Sequence, residues 1–551
     1  MAMSLKPQPV GEIPEDTARV ARAVFRKGNV YLRLRDEFGV LYEDQDFAKL
    51  FPVRGQPGLP PWRLALVTTV QFIEGLSDRQ AAEAVRSRID LKYLLGLELT
   101  DPGFDGSVLS EFRTRLVVGN ADHLLLDKML EHFKLKGLVK ARGRQRTDGT
   151  HVLGAVRALN LLEFAGETLR ASLNDLATVA PDWLGQVAPA EWFERYSRRV
   201  EEYRLPKGQA ARNTYATTVG EDGFRLLEAL DREATPAEWR ERSTVQALRL
   251  AWSQHFERVE GRVRWRAGQG LPPAAERFQS PYDTEARFSD KRSLTWTGYK
   301  VHVTETCDED SVHLITHVET CYATVPDVSS TADIHQRLSE KHLLPAEHVV
   351  DTGYVDADLL VASRTDHGVT LIGPARPNSS WQIRTEGGLD TSKFSVDWEG
   401  QRVLCPQGKV SSVWSDRRDE AGKGTIQVRF RRSDCVECEV RALCTRSKRG
   451  PRDLVLLPQA QHEALLAARE AESTAQWQRL YDVRAGIEGT ISQGVRAFGL
   501  REARYRGLAR TALQQVAVAA GMNVIRVTAW LADRPREGTR TSRFAGLRAV
   551  A

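Results

Sequence analysis

The apolar pattern between residues 294 and 373 constrains this chain most, because its period changes from one segment to the next. "LTWTGYKVHVTETC" and "SVHLITHVETCYATV" alternate or run β-branched, with the turn "DEDS" between them, and predict a strand pair. "STADIHQRLSEKHLL" predicts a helix. "EHVVDTGY" predicts a short strand ending at Asp351, "VDADLLVASRTDHG" a helix with Asp356 near its start, and "VTLIGP" a further strand. Strands and helices in such alternation argue for an α/β sheet.

The flanking regions differ in kind. Up to residue 138 the chain reads as helical. "PPWRLALVTTVQFIEGLSDRQAAEAVRSR" opens after a proline pair, and Leu66, Val70 and Ile73 recur at helical spacing. Gly75 ends that helix, and Ser77 with Gln80 forms a capping-box pattern for the next. A third helix is expected in "FDGSVLSEFRTRLV", with Ser107 as its cap. Two short helices across a tight turn, with Arg79, Arg86, Arg88, Arg113 and Arg115 nearby, suit a helix-turn-helix DNA-binding unit and equally a plain bundle. The expected organisation is a helical N-terminal DNA-binding domain (1–138), an α/β core (139–165 and 281–377) and a helical insertion (166–280). A cysteine-bearing insert (378–458), C-terminal helices (459–532) and a disordered, basic tail (533–551) follow.

The 551 residues carry 78 Lys+Arg against 73 Asp+Glu, a net charge of +5, which permits a nucleic-acid partner without requiring one. No run approaches the roughly 20 apolar residues of a membrane helix. The N-terminus has no apolar core of the signal-peptide kind, so a cytoplasmic protein with no membrane association is expected. Six cysteines are too few for a disulfide scaffold in a chain of this length.

Three carboxylates stand where chemistry could collect. Asp148 lies in "GRQRTDGTHVLG", after Lys140, Arg142, Arg144 and Arg146 and before a strand-like segment. Asp351 closes a predicted strand, and strand ends in open α/β sheets are where sites gather. Glu488 lies in "YDVRAGIEGTISQGVRAFG", between Arg484 and Arg496 in a stretch that holds Gly486, Gly489 and Gly494. On a continuous helix Tyr481, Arg484 and Glu488 share one face, and each interior glycine costs that helix about 1 kcal/mol relative to alanine. Clustered carboxylates repel unless they share divalent cations, and oxygen donors suit Mg²⁺ better than Zn²⁺. Singly, each acid has a plainer reading. Asp148-Gly149 is a turn signature, Asp351 can cap a loop, and Glu488 can sit in a surface ion pair.

Taken together, these motifs make the chain resemble the DDE transposases of bacterial insertion sequences. "FIEGLSDRQAAEAVRSRIDLKYLLGL" and "FDGSVLSEFRTRL" match the N-terminal helical domain of a large subgroup. "RTDGTHV" and "VVDTGYVDADLL" match the two aspartate motifs, and "YDTEARFSDKRSLTWTGYKVHVTET" a segment linking them. Tyr481, Arg484 and Glu488 fit the family spacing Tyr-x2-Arg-x3-Glu. The resemblance implies a ribonuclease-H-like catalytic core in which Asp148, Asp351 and Glu488 form a catalytic triad binding Mg²⁺ or Mn²⁺. It implies that Tyr481 and Arg484 contact transposon-end DNA, and that the nearby glycines let the DNA backbone come close. Lys300 in "GYKVH" is a candidate phosphate contact, or a strand-edge lysine. The family places a basic residue where this chain has Val495; Arg496, one residue on and about 80° round a helix from Glu488, is the candidate in its stead.

Cys405, in "CPQG", precedes "CVECEVRALC", which supplies Cys435, Cys438 and Cys444. A Cys-x2-Cys pair with two more cysteines in reach fits a four-thiolate zinc site in a zinc-ribbon-like segment. Such a metal would supply folding energy to an insert poor in apolar residues. Reduced thiols and a disulfide are the alternatives. Cys307 and Cys321, with His302, His313 and His317, read as core and strand residues. The leading expectation is a transposase that cleaves DNA at terminal inverted repeats and transfers the freed strand into target DNA, as a homo-oligomer pairing two ends. The alternatives are a DNA-binding relative without catalysis and a metal-dependent nuclease that only hydrolyses.

Overall fold

A computed structural model describes residues 3–156, 159–266, 270–291, 294–420 and 422–534. The contacts divide the chain into two compact units. Met1–Lys140, Asp148–Pro326 and Ile487–Ala551 form the first, and Ala141–Thr147 with Asp327–Gly486 the second. The basic tail lies outside the described residues from 535 onward.

The N-terminal part of the first unit is helical. Helix α1 (Pro61–Glu74) starts on a proline, whose missing N–H is no loss there, and ends on Gly75 in the left-handed conformation. It is buried on nearly all sides; only Arg63, Ile73 and Glu74 escape. Helix α2 (Asp78–Ser87) carries the expected capping box, Ser77 and Gln80 each accepting the other's backbone N–H. Ser107 is the first residue of helix α3 (Ser107–Val118) rather than its cap. Asp105 accepts the Ser107 N–H instead, at 2.8 Å. Gly106 brings this end of α3 so close to α2 that a Cβ would stand 3.1 Å from the Arg79 nitrogen.

Strand β1 (Arg142–Leu153) runs straight through Asp148-Gly149, so the turn reading of that pair fails. Inter-strand pairing outweighs a local turn preference when both neighbours of the dipeptide are extended. Beyond β1, the first unit holds a helical insertion with its own core, built on helices α4 (Leu161–Val179), α5 (Gln209–Leu230) and α6 (Ser243–His255). Leu169, Leu176, Leu226, Trp252 and Phe278 pack in that core. A hairpin, Phe256–Val259 with Arg262–Trp265, adds strand structure to a region expected to be helical. Gly223 makes the packing possible, because a Cβ there would fall inside the Trp252 ring.

Strands β2 (Arg287–Lys291), β3 (Leu294–Thr306) and β4 (Ile315–Tyr322) follow as an antiparallel set with β3 central. Val301, Val303 and Val318 bury one face. The β3–β4 register slips at Thr304/Glu305, from Thr304 opposite His317 to Glu305 opposite Ile315. Gly298 adopts φ 153°, and a Cβ there would collide with the backbone of Val152 and Gly154, so only glycine permits β3 so close to the end of β1.

The second unit carries the parallel strands. Helix α7 (Asp327–Glu340) leads to β5 (Pro345–Val349), helix α8 (Ala357–His367) to β6 (Thr370–Ile372). Asp356 caps α8 by accepting the Leu359 N–H. Strand β5 pairs in parallel with β6 on one side and with the first residues of β1 on the other. Arg142 stands opposite Pro345, Arg144 opposite Glu347, Gln145 opposite His348 and Arg146 opposite Val349, a constant offset of 203 residues. The cysteine-bearing insert then forms a two-stranded and a three-stranded sheet. Phe394, Val403, Val428, Phe430, Leu454 and Leu456 give it an apolar core, so it is not as poor in apolar packing as its sequence suggests.

Helices α9 (Gln459–Glu472) and α10 (Ala475–Asp482) end the second unit. A short 3₁₀ turn, Val483–Ala485, separates α10 from α11 (Gly486–Phe498). Tyr481, Arg484 and Glu488 therefore lie on three successive elements, and the single-face reading of a continuous helix does not hold. Helix α12 (Leu508–Trp530) is buried at every residue from Leu513 to Val524. The linking motif supports it. Asp283 accepts the Tyr299 hydroxyl at 2.8 Å and the Gly507 N–H, and Glu285 accepts the Leu508 N–H, so both acids sit at the positive end of α12. No helix among the described residues is long and apolar enough to cross a membrane.

Candidate active-site residues

Asp148 is half-buried in mid-strand, with its Oδ1 accepting the Gly149 N–H at 2.7 Å. The residue before it, Thr147, is fully buried and begins a chain of side-chain hydrogen bonds that sequence reading passed over. Thr147 Oγ1 lies 2.7 Å from His348 Nε2, and His348 Nδ1 lies 2.8 Å from His335 Nε2. The chain ties β1, β5 and α7 together inside the second unit. Burial keeps both imidazoles neutral, pushing His335 down to about 4 and His348 well below its usual value.

Asp351 lies just past the end of β5, as expected, and caps the turn Thr352–Tyr354 by accepting the Gly353 N–H at 2.7 Å. A Cβ on Gly353 would stand 2.9 Å from Asp351 Oδ1 and 3.3 Å from Asp327 Oδ2, so glycine is what lets both carboxylates flank the turn. Thr331 donates to the Tyr354 carbonyl and anchors the turn to α7.

Glu488 is exposed in the first turn of α11. Its three glycines serve different ends. A Cβ on Gly486 would overlap the Arg146 guanidinium, which donates to the Val483 carbonyl, so this glycine makes room for an arginine of the protein rather than for DNA. Gly494 makes room for Leu500. Only Gly489, with nothing within 4 Å of its missing Cβ, leaves open space beside Glu488. Tyr481 stacks on Trp477 at 4.7 Å and 17°, and the Arg484 guanidinium lies 5.9 Å from the Tyr481 ring. Arg496 is exposed in the last turn of α11. Lys300, on the central strand β3 rather than an edge, donates to the Val325 carbonyl at 2.7 Å.

Most of the N-terminal arginines have partners within the protein. Arg113 is buried, grips Asp78 with both terminal nitrogens and stacks on Tyr505. Arg88 bridges Glu74 and Asp90, Arg115 pairs with Glu111, and Arg86 pairs with Glu83. Arg79 is exposed on α2. Spacing alone could have found the Arg86–Glu83 and Arg115–Glu111 pairs, three and four residues apart on one helix, but not Arg113–Asp78, whose members are 35 residues apart.

The four cysteines of the insert line one pocket of about 390 Å³ in the second unit. The Lys409 N–H donates to Cys405 Sγ at 3.3 Å and the Arg452 N–H to Cys435 Sγ at 3.4 Å. Burial pushes the Cys444 thiol up, opposed by Arg452 and reinforced by the other three sulfurs. All four are free thiols, so no disulfide joins them. Cys307 is buried, and Cys321 lies 3.5 Å from His302 Nε2. Among the described residues no group of three or more His, Cys, Asp or Glu side chains is gathered closely enough to hold an ion as it stands.

Two family models match the chain, in the order the motifs imply. One, described as a transposase domain (DUF772), covers residues 22–115 and so takes in α1, α2 and most of α3. The other, described as a transposase DDE domain, covers residues 404–528, from the first cysteine of the insert through Glu488 into α12. No curated protein matches the chain. Transposase domains act on DNA, and the two matches on one chain support the resemblance to the DDE transposases of insertion sequences.

Proposed function

We propose that this transposase cleaves DNA at the terminal repeats of its element and transfers the freed strand into target DNA, with Asp148, Asp351 and Glu488 as its metal-binding triad. The observation that supports the triad is that each acid stands in a motif of the resemblance, Asp148 in "RTDGTHV", Asp351 in "VVDTGYVDADLL" and Glu488 at the family spacing from Tyr481 and Arg484, with Glu488 inside the matched transposase DDE domain. The donor chemistry fits a hard divalent ion, since all three side chains offer oxygen, and Asp148 and Asp351 each have one oxygen oriented by a backbone N–H. When bound there, Mg²⁺ or Mn²⁺ would stabilise charge on the attacking and leaving oxygens of an in-line displacement at phosphorus.

The chain's own residues bind and orient the DNA. Water attack at the transposon end leaves a 3′-hydroxyl, which then displaces the 3′-oxygen of a target phosphodiester. Arg484 and Arg496 offer charge to phosphates beside Glu488, and Tyr481 offers a ring face. Gly489 leaves the approach to Glu488 clear. The α1–α2 pair, with Arg79 on its outer face, is the DNA-reading unit, and the active form is a homo-oligomer holding two ends. The four insert cysteines are proposed as a structural Zn²⁺ site, supported by their shared pocket and by the two backbone N–H groups donated to sulfur. Purified protein should then hold one zinc per chain, lost in Cys438→Ser; a metal-free wild-type protein would rule the site out.

The deciding experiment uses a labelled duplex carrying the DNA that flanks the protein's own coding sequence, with a supercoiled plasmid as target. Asp148→Asn, Asp351→Asn and Glu488→Gln should each abolish Mg²⁺-dependent cleavage while end binding in a gel shift persists. Cleavage retained in any of the three removes that residue from the triad. Nicking without insertion into plasmid would make the protein a nuclease, and end binding without nicking a DNA-binding relative.

A further inference from the structure

Behind α11, on the side away from Glu488, lies a buried ionic cluster that the proposed chemistry does not use. Glu305 has no solvent exposure. Its carboxylate accepts from Arg526 at 2.7 Å and from the Thr490 hydroxyl at 2.6 Å. Arg526 also donates to Thr490 Oγ1, to Gln493 Oε1 through two of its nitrogens, and to the His313 carbonyl. Three elements of the first unit thus meet at one guanidinium: β3 through Glu305, α11 through Thr490 and Gln493, and α12 through Arg526 itself.

Stability alone does not account for this arrangement. A largely buried ion pair such as this, with Glu305 inaccessible and Arg526 14% exposed, can often be replaced by apolar side chains at little or no cost, because removing two charges from water offsets their attraction. What the pair adds is direction. Hydrogen bonds of 2.6–3.0 Å at fixed angles set the height and the rotation of α11, whereas Ile487 and Ile491 packing would tolerate small slides. The slip in the β3–β4 register falls at Glu305, where a bulge re-aims a side chain. Thr490 and Glu488 are two residues apart and so point about 200° apart around the helix. Holding the one on the buried side fixes the other on the open side.

We infer that Arg526, Glu305, Thr490 and Gln493 are positioning residues that fix α11 so that the Glu488 carboxylate is presented in one place, an inference that rests on the proposed triad. The test is Thr490→Val, which keeps the shape and removes the hydroxyl, with Thr490→Ser as rescue and Gln493→Ala as a milder second variant at a half-buried position. Cleavage of the flanking-DNA duplex is followed against Mn²⁺ concentration, with end affinity and melting temperature measured alongside. A misplacement of 1 Å costs about 100-fold in rate, so Thr490→Val should lose about 10- to 100-fold in kcat. It should need more Mn²⁺ for half-maximal rate and bind DNA ends as before, and Thr490→Ser should recover most of the rate. Gln493→Ala should move the same quantities less, and it decides the matter if Thr490→Val does not fold. Unchanged kcat and unchanged Mn²⁺ half-saturation in the folded variants overturn the inference. So does a loss that disappears when the assay is run well below the melting temperature. Glu488→Gln separates the two levels: if it cleaves normally the triad falls, and if it is inactive while Thr490→Val is normal, only the positioning role falls.

Discussion

Replacing Gly353 by alanine tests how finely the Asp351 carboxylate is placed. The new Cβ would stand 2.9 Å from Asp351 Oδ1 and 3.3 Å from Asp327 Oδ2. Ordinary carbon contacts lie at about 3.5 Å, so the nearer carboxylate must give by roughly 0.5 Å or turn. Gly353 is not in the left-handed region, so no backbone strain adds to this. Its N–H still points at Asp351 Oδ1, from 2.7 Å, which limits how the carboxylate can escape. Crowding of this kind destabilises by about 1 kcal/mol, too little to unfold a domain. If 1 Å costs about 100-fold in rate, half of that costs about 10-fold, or ~1.4 kcal/mol of barrier. Single-turnover cleavage of prebound flanking DNA at saturating Mg²⁺ should therefore slow by about 10-fold in Gly353→Ala, with end affinity unchanged. Wild-type rates in Gly353→Ala, beside an inactive Asp351→Asn, would refute the idea that this turn sets the position of the acid.

Other perturbations follow from the same structure. Arg113→Met strands Asp78 with only Gln71, and should cost about 3 kcal/mol in urea denaturation; adding Asp78→Ala should restore part of it, and additive losses would refute the pairing. Gly223→Ala drives a methyl into the Trp252 ring and should destabilise the helical insertion by about 1–3 kcal/mol, seen as tryptophan fluorescence lost at lower denaturant. His255 and His335, each held near 4 by burial, stay neutral in the folded chain while the unfolded chain protonates near 6.5. Stability should therefore be full above pH 6.5 and fall as pH drops toward 4, by up to about 3 kcal/mol for each histidine. A melting temperature flat from pH 7 to 4.5 would contradict this.

Legibility tracked how local each cause was. The Ser77/Gln80 capping box, the Gly75 stop, the Asp356 cap and the β3–β4 strand pair could all be read from residues within a few positions of one another, because a cap or a period is satisfied inside its own segment. Ser107 was misread as a cap because the helix starts one residue early: Gly106 takes the cap position and Asp105, two residues upstream, accepts the Ser107 N–H. The turn reading of Asp148-Gly149, one of two left open by the sequence, fails because its local preference is overruled by strand structure through Arg142–Leu153. Arg113 looked available for DNA because its partner, Asp78, lies on another helix, whereas the Arg86–Glu83 and Arg115–Glu111 pairs fall at helical spacing within one helix. The Thr147–His348–His335 chain and the Glu305–Arg526 cluster left no trace in the sequence, since their members lie up to 221 residues apart.

By itself, then, the sequence determined the kinds of element, their order and the three acids that merit attention, since periodicity, capping and motif spacing are properties of short stretches. Tertiary structure decided the rest. It showed that the first residues of β1 pair in parallel with β5, from Arg142 opposite Pro345 to Arg146 opposite Val349. It broke the helix between Tyr481 and Glu488. It also gave Gly486 to an arginine and left Gly489 open, because what a missing Cβ makes room for depends on atoms that the chain brings in from far away.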